Sequence, residues 1–321
     1  MTGITRWSGV ILLALIAGAV SFPSAQAADK AKQKKTIGVS VLALTNPFFK
    51  VIVDNMTEEA KKNGWDVLAV SGDFDVAKQQ NQVKDFIVKK VDAIVLCPCD
   101  SKAIGPVIQE ANSAGIPVFT ADIACLAPGA KIVSHIATDN LSGGRQAGQA
   151  MIEALGGKGK VAILSHPEVE SASMRVKGFR EVVAEENKKP GSKIEIVADL
   201  SAMGAKEKGY KVAEDLMQSH PDLNGIFAVN DPSGLGAVAA LEKAGKLKGM
   251  AIVTFDGQPE GRQAIKDGKV YALPIQFPDK IGQVTIQTIK KYFDGDEVQP
   301  QTLIPTALYK KADADKDPTL K

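Results

Sequence analysis

Short apolar runs alternate with amphipathic segments along most of the chain. Residues 36–44 are apolar at nearly every position, as in a strand that is buried on both faces of a sheet. After this run, apolar residues recur at helical spacing from Phe49 onward until Asn63-Gly64, which is typical of a helix end. Pro47 suits the first turn of that helix, and this places Asn46 at its N-cap.

The same alternation continues to residue 293. In the first half it predicts strands over 65–70, 92–97 and 117–122, and helices over 76–89 and 101–114. After 131–136 it predicts helices over 141–155, 173–187, 205–219, 234–244, 261–267 and 279–293, and strands over 161–165, 194–200, 225–230, 250–256 and 270–276. Strands that alternate with helices predict an α/β fold with a parallel sheet in each half. No Ser/Gly-rich linker separates the halves, so we expect short crossovers and a ligand cleft between them.

The first 27 residues have the pattern of an export signal. Arg6 precedes the apolar run 10–20, which is short for a membrane span, and Ala25-Gln26-Ala27 resembles a cleavage site. We expect cleavage after Ala27 and an exported, periplasmic mature chain. The alternative for this segment is an uncleaved membrane anchor.

Length, charge and cysteine content narrow the class of protein. A chain of 321 residues has room for two domains, and its net charge of +2 gives no indication of nucleic acid or an acidic membrane as partner. Its three cysteines, Cys97, Cys99 and Cys125, are too few for a fold that depends on disulfides. Cys97 reads as the end of a buried strand, and we expect neither a metal nor a cofactor.

Polar side chains stand where five of the predicted strands end. A parallel sheet brings the carboxyl ends of its strands to one edge, where open α/β folds bind ligands. Carboxylates accept hydrogen bonds and amides both donate and accept, so such a set suits a ligand with many hydroxyl groups. Each of these residues alone is better explained as a cap or turn residue, and five of them at strand ends change that balance in favour of a binding site. They are Asn46, Asp122, Asn230, Asp256 and Gln276.

Three further side chains would complete such a site. Arg175, which we place in the loop leading to the helix over 173–187, would add a planar fork of donors. Phe48 and Phe49 would pack their faces against the C–H side of a sugar ring. For either phenylalanine alone, a place in the core is an equally good explanation.

Motifs for catalysis are weak, and we predict no catalytic residue. Gly143-Gly144-Arg145-Gln146-Ala147-Gly148 lacks the spacing of a dinucleotide-binding fingerprint. Asp122 and Asp256 could form an acid–base pair of the glycosidase kind, but nothing in the sequence raises the pKa of either. The histidines fit neither a metalloprotease nor a hydrolase motif. They are His135, His166 and His220.

Several segments together resemble the periplasmic sugar-binding proteins of the ribose-binding type, which serve ABC importers. The resemblance covers about residues 35–308. Its motifs are Asn46-Pro-Phe-Phe49, Ile116-Pro-Val-Phe-Thr-Ala-Asp122, Val133-Ser-His-Ile-Ala-Thr-Asp-Asn140, Ala228-Val-Asn-Asp231, Phe255-Asp256-Gly257 and Gln276-Phe-Pro-Asp279.

The resemblance implies the type I periplasmic binding protein fold, which is two Rossmann-like lobes joined by a three-crossover hinge. The crossovers would fall near Ile136-Ala137, Gln276-Phe277 and Pro305-Thr306. The N-terminal lobe would then comprise 35–136 plus 277–305, and the C-terminal lobe 137–276 plus 306–321. Asn46, Phe48, Phe49 and Asp122 would lie on the first lobe, and Arg175, Asn230, Asp256 and Gln276 on or beside the second.

Two departures from the ribose-binding pattern affect the ligand. An arginine is expected after Asp122, where this chain has Ile123, and an aromatic residue is expected where it has Met203-Gly204. We count Ile123 and Met203, with Leu42, as further candidate ligand contacts. Ribose is the leading ligand by resemblance, and another pentose, a hexose, a deoxy sugar or an inositol stays open.

The resemblance also implies partners. A monomer would bind a monosaccharide, close over it and deliver it to the transmembrane subunits of an ABC permease, with a chemoreceptor as a further candidate partner. One alternative is a receptor component for a sugar-like signal in chemotaxis or quorum signalling. Others are a secreted enzyme acting on a sugar and a sugar-responsive transcription regulator, although an export signal stands where a regulator needs its DNA-binding headpiece.

Overall fold

The computed structural model describes residues 1–4 and 34–321. Apart from residues 1–4, the predicted signal peptide and its cleavage point after Ala27 lie outside this range. In the described part of the chain, no helix has both the length and the apolar character needed to cross a bilayer.

Strands and helices alternate through the described chain, as the apolar pattern predicts. The strands are β1 (Thr36–Val41), β2 (Asp66–Ser71), β3 (Ala93–Leu96), β4 (Val118–Ala121), β5 (His135–Thr138), β6 (Lys158–Ser165), β7 (Lys193–Ser201), β8 (Gly225–Ala228), β9 (Ala251–Val253), β10 (Ala272–Ile275), β11 (Gln301–Ile304) and β12 (Ala307–Lys310). The helices are α1 (Pro47–Lys62), α2 (Val76–Val88), α3 (Gly105–Ser113), α4 (Asn140–Leu155), α5 (Glu170–Glu186), α6 (Lys206–Ser219), α7 (Asp231–Lys243), α8 (Pro259–Lys266), α9 (Pro278–Asp294) and α10 (Lys311–Ala314).

The strands form two six-stranded sheets. The first has the order β11-β5-β4-β3-β1-β2, and the second has the order β12-β10-β9-β8-β6-β7. The chain passes between the sheets after Thr138, after Ile275 and after Ile304. The predicted crossover at Ile136-Ala137 therefore falls inside β5, because this strand continues to pair with β11 as far as Thr138.

The α/β fold with parallel-dominated sheets is confirmed, with one exception to parallel pairing. β12 runs antiparallel to β10. Neither β12 nor β11 was predicted, because each is a four-residue strand whose place depends on pairing with a partner distant in sequence. Another difference is the start of α3, which begins at Gly105 rather than near residue 101.

Alternation of side chains along the strands builds a core on both faces of each sheet. In β3, Ala93 and Val95 join one apolar cluster, and Ile94 and Leu96 join another on the opposite face. In β6, odd and even positions divide in the same way between two clusters. Both sheets are thus covered on both faces, which leaves the carboxyl ends of the strands as the place for polar side chains.

Candidate functional site

A cavity lies where the carboxyl ends of strands from both sheets come together. It contains about 450 Å³ of space free of protein atoms, part of it continuous with solvent. All eight side chains predicted to hold the ligand line it, and so do Leu42 and Ile123. Met203 does not line it and is 39% exposed. The eight predicted residues, with Leu42 and Ile123, lie where a ligand in the cavity would contact them, and their role in binding stays a prediction.

The start of α1 fixes the aromatic side of the cavity. Asn46 caps the helix by accepting a hydrogen bond from the Phe48 backbone N–H at 3.0 Å, and Pro47 occupies the first turn, as predicted. Phe48 and Phe49 are buried and meet edge to face, with ring centroids 5.4 Å apart. The same Asn46 oxygen accepts a second hydrogen bond from Gln258 Nε2 at 3.1 Å, so a residue beyond β9 reaches the start of α1.

Arg175 is the cation at the centre of the cavity. It is 4% exposed and lies inside α5, not in the preceding loop as predicted, because that helix begins at Glu170. Its Nη1 donates to Asp256 Oδ1 at 3.0 Å and to the Val229 carbonyl at 2.7 Å. Its guanidinium also stacks over the ring of Phe255, 3.9 Å from the centroid.

Two amides help the arginine to hold the Asp256 carboxylate. Gln276 Nε2 donates to Asp256 Oδ1 at 2.6 Å, and Gln258 Nε2 donates to Oδ2 at 3.3 Å. The Gln276 carbonyl oxygen in turn accepts a hydrogen bond from Thr138 at 2.6 Å. Burial raises the pKa of Asp256, while Arg175 and the amides oppose that rise by stabilising the charged form.

Asn230 uses much of its hydrogen-bonding capacity within the protein. Its side-chain oxygen caps α7 by accepting from the Ser233 backbone N–H at 3.1 Å, and its Nδ2 donates to the Gly204 carbonyl at 2.9 Å. The amide nitrogen carries two hydrogens, so one N–H is left for a ligand.

Asp122 differs from the other polar residues because part of its carboxylate is unused. It is 3% exposed, and no described residue hydrogen-bonds to its Oδ1. Burial raises its pKa to about 7, an effect that Arg175 opposes and Asp256 increases. Its backbone has φ 61°, a left-handed conformation that is unfavourable for a residue other than glycine. A strained, buried acceptor without a partner indicates a site built for a hydrogen-bond donor.

Sequence reasoning missed several residues of the cavity wall. His166 directly follows β6, so the rule that selected the other strand ends could have found it, but the histidines were considered only for metal or catalytic motifs. Phe74 lies three residues after the end of β2. The remaining missed residues are Val169, Ser171, Ala172, Gly204 and Val229, which carry little chemical signal in the sequence.

The cavity combines hydrogen-bond acceptors, Nη2 of Arg175, which donates to no described residue, and aromatic faces. It can therefore bind a compact ligand with several hydroxyl groups. Among the described residues, no group of three or more His, Cys, Asp or Glu side chains could hold a metal ion. Cys97 is fully buried directly after β3. The raised pKa values of Asp122 and Asp256 were not expected from the sequence, and burial is the main cause of both.

Comparison with known proteins agrees with the fold. The family described as "Periplasmic binding protein domain" matches residues 37–297. The chain is 37% identical over 288 residues to the ribose import binding protein of Escherichia coli K12, which covers 89% of this chain and 94% of that protein. It is 33% identical over 293 residues to the D-apiose import binding protein of Paraburkholderia graminis, covering 90% of this chain and 92% of that protein.

A solved structure shows the same similarity in three dimensions. It is an ABC transporter periplasmic solute-binding protein from Actinobacillus succinogenes with bound D-allose. The TM-score is 0.80 at 30% identity, and the match covers 88% of this chain and 100% of the other. The resemblance seen in the sequence motifs is thus confirmed, and the chain belongs to the periplasmic binding protein family.

Proposed function

We propose that this protein is the substrate-binding component of an ABC-type importer and that it binds a monosaccharide or a related polyol. Relatives that match nearly the whole chain are named as import binding proteins for ribose and D-apiose, and a structural neighbour holds D-allose. Export to the periplasm, cleavage after Ala27 and delivery of the sugar to a membrane permease belong to the same proposal.

The strongest structural support for this function is Asp122 Oδ1, which has no hydrogen-bond partner among the described residues. Asp122 lines a cavity in which Arg175, Asp256 and Gln276 form a hydrogen-bonded cluster. A sugar hydroxyl can donate to Asp122 and accept from Arg175, while Phe48 and Phe49 cover the apolar side of the ring. Ile123 places an apolar side chain beside Asp122, so the preferred sugar need not be ribose.

Binding would proceed by closure of two lobes, with the N-terminal lobe taken as 35–136 plus 277–305 and the C-terminal lobe as 137–276 plus 306–321. Hydrogen bonds that cross the cleft support this mechanism. Gln258 Nε2 donates to Asn46 Oδ1 at 3.1 Å, and the Ser101 backbone N–H donates to the Glu168 carbonyl at 3.0 Å. These contacts exist only when the lobes are together, so a ligand that bridges the lobes favours them.

A thermal-shift screen of the mature protein tests the function. The panel contains D-ribose, D-apiose, D-allose, D-tagatose, xylitol and myo-inositol, and each hit is titrated by calorimetry. We expect at least one to raise Tm and to bind near micromolar Kd, which corresponds to about −8 kcal/mol. The recovered sugar should be chemically unchanged. Lack of binding by every compound, or conversion of one to a product, would contradict the proposal.

A double variant provides the matched control for this screen. Arg175→Met with Asp256→Asn removes both charges of the buried ion pair, whereas either change alone leaves an unpaired charge at a cost of about 3–5 kcal/mol. The double variant should fold and show no shift with the sugar that stabilises the wild type. A full shift in this variant would place the binding site elsewhere.

A further inference from the structure

His166 lines the ligand cavity but takes no part in the cluster around Arg175. It directly follows β6 and is only 6% exposed. Phe48 and Phe49 line the same cavity from the start of α1. An imidazole ring is therefore held in the cavity wall, in addition to the aromatic residues that the sequence predicts.

The glycine at position 204 makes room for this ring. Gly204 has φ 62°, and a Cβ atom there would lie 3.3 Å from His166 Nδ1 and 2.9 Å from Asn230 Nδ2. Met203 does not reach the cavity. The segment after β7, where the sequence pattern led us to expect an aromatic side chain, thus provides only backbone, and the ring comes from the neighbouring strand β6.

The ring nitrogens of His166 are not used by the protein. Nε2 lies 3.7 Å from Glu168 Oε2, which is beyond hydrogen-bond distance, and no residue in 34–321 hydrogen-bonds to the imidazole. Burial lowers the pKa of His166, and the nearby carboxylates of Glu168 and Asp100 oppose this only in part. A neutral imidazole has one N–H donor and one acceptor nitrogen, so both ring nitrogens are available to a ligand in the cavity.

We propose that His166 contacts the bound ligand directly and contributes to its selection. Its ring covers the C–H face of the sugar, and one ring nitrogen forms a hydrogen bond with a sugar hydroxyl. This inference rests on the proposed function, and it adds a specificity residue that the sequence motifs do not contain.

Calorimetry with D-ribose, D-apiose and D-allose tests the proposal on purified protein. His166→Ala removes the ring and both nitrogens, and we expect at least a tenfold rise in Kd for the sugar that the wild type binds best. His166→Phe keeps a ring and His166→Gln keeps a hydrogen-bonding group, so each should recover part of the affinity. The control is His220→Ala, at the end of α6, which should bind as the wild type does.

The outcomes separate this proposal from the function on which it rests. Absence of wild-type binding to all three probes and to the wider panel would refute the proposed function and this proposal together. Wild-type binding combined with a Kd for His166→Ala within twofold of the wild type would refute the role of His166 alone. Ligand-free Tm values of each variant show whether the protein folds.

A second measurement observes the His166 ring in the wild-type protein. The chain has three histidines, so a carbon–proton spectrum of the wild type shows three imidazole Cε1–H signals. His166→Gln identifies the signal of His166. A saturating sugar should shift this signal and lower its titration midpoint, because the ligand removes the ring further from water. His135 and His220 should not respond, and an unmoved His166 signal would overturn the proposal.

Discussion

Asp122 places a carboxylate where the ligand-free protein gains nothing from its charge. The group is almost fully buried, and one of its oxygens has no partner among the described residues. Burial raises its pKa to about 7, whereas an unfolded chain would have a value near 3.8. Ionisation therefore favours the unfolded state, a cost that the proposed role of Asp122 in ligand binding would explain.

The sign of this effect gives a prediction for Asp122→Asn. Between pH about 4 and 7 the native Asp122 holds a proton that the unfolded chain releases, so wild-type stability falls as the pH rises through this window. The neutral amide removes a penalty on the order of 2–4 kcal/mol. At pH 8 we expect the ligand-free variant to melt about 4–8 °C above the wild type, as measured by scanning calorimetry.

The comparison at low pH provides the control for this prediction. At pH 4 the native carboxyl is neutral and the unfolded one is only partly ionised, so most of the penalty is absent and variant and wild type should melt at similar temperatures. Above pH 7, where the wild-type carboxyl is ionised, sugar affinity should be lower in the variant, because the amide lacks the second acceptor oxygen. An equal Tm difference at pH 4 and pH 8 would show that the charge of Asp122 is not the cause.

At the residue scale, the sequence predicted which residues line the cavity more reliably than what each side chain does there. Eight residues chosen from strand ends, motifs and aromatic character do line one cavity, because parallel strands bring their carboxyl ends to one edge. The unused oxygen of Asp122 and the exposure of Met203 depend on side-chain packing that local sequence does not encode. His166 was reachable by the same rule, and it was passed over because only metal and catalytic motifs were considered.

At the scale of elements, the crossing of α4 and α5 positions Arg175. The two helices approach closely, and a Cβ atom at Gly144 on α4 would lie 2.1 Å from the Arg175 carbonyl oxygen. Gly178 on α5 makes a similar approach to the Leu141 carbonyl, at 2.2 Å. Because these glycines have no side chains, the two helices can approach closely. This close approach sets how far Arg175 reaches into the cavity.

Gly144→Ala tests this dependence. The added methyl group meets backbone atoms that cannot rotate away, so α5 must move and carry Arg175 with it. We expect stability to fall by about 1–3 kcal/mol from overpacking, and sugar affinity to fall at least tenfold by calorimetry.

The matched control lies one turn further along α4. A Cβ atom at Gly148 would lie 3.0 Å from the Phe179 carbonyl oxygen and 3.2 Å from Val182 Cβ, so Gly148→Ala demands a smaller adjustment farther from Arg175. It should lose less affinity than Gly144→Ala. Equal affinities in the two variants would mean that the helix crossing does not position the arginine.

The order of elements was the most predictable part of the fold. Long apolar and amphipathic segments such as β6 and α9 carry their own signal, since burial fixes the period of their apolar residues. β11 and β12 carry little sequence signal of their own, because their pairing with β5 and β10 joins segments that are distant in sequence. The start of α5 was placed too late for a related reason: the Glu170 N–H is bonded to Ser101 Oγ, from a different part of the chain.

At the scale of the whole molecule, the closure that we propose involves hydrogen bonds between the two lobes. Ser101 is almost fully buried and connects to the start of α5 twice. Its backbone N–H donates to the Glu168 carbonyl at 3.0 Å, and its Oγ accepts from the Glu170 N–H at 2.9 Å. If the lobes separate, water can satisfy these groups instead, so each bond makes only a modest net contribution to the closed form.

Ser101→Ala tests the contribution of these hydrogen bonds to closure, because it leaves the residues that line the ligand cavity unchanged. It keeps the backbone hydrogen bond but leaves the Glu170 N–H buried without its partner, at a cost of about 1–2 kcal/mol that falls on the closed state alone. Sugar affinity should therefore fall by roughly 5- to 30-fold, mainly through faster dissociation in stopped-flow measurements. Small-angle scattering at saturating sugar should still show contraction, since the ligand contacts are intact.

Ser113→Ala is the control, because the Ser113 hydroxyl bonds only to Gln109 within α3. Unchanged affinity and dissociation rate in Ser101→Ala would exclude these bonds as determinants of closure.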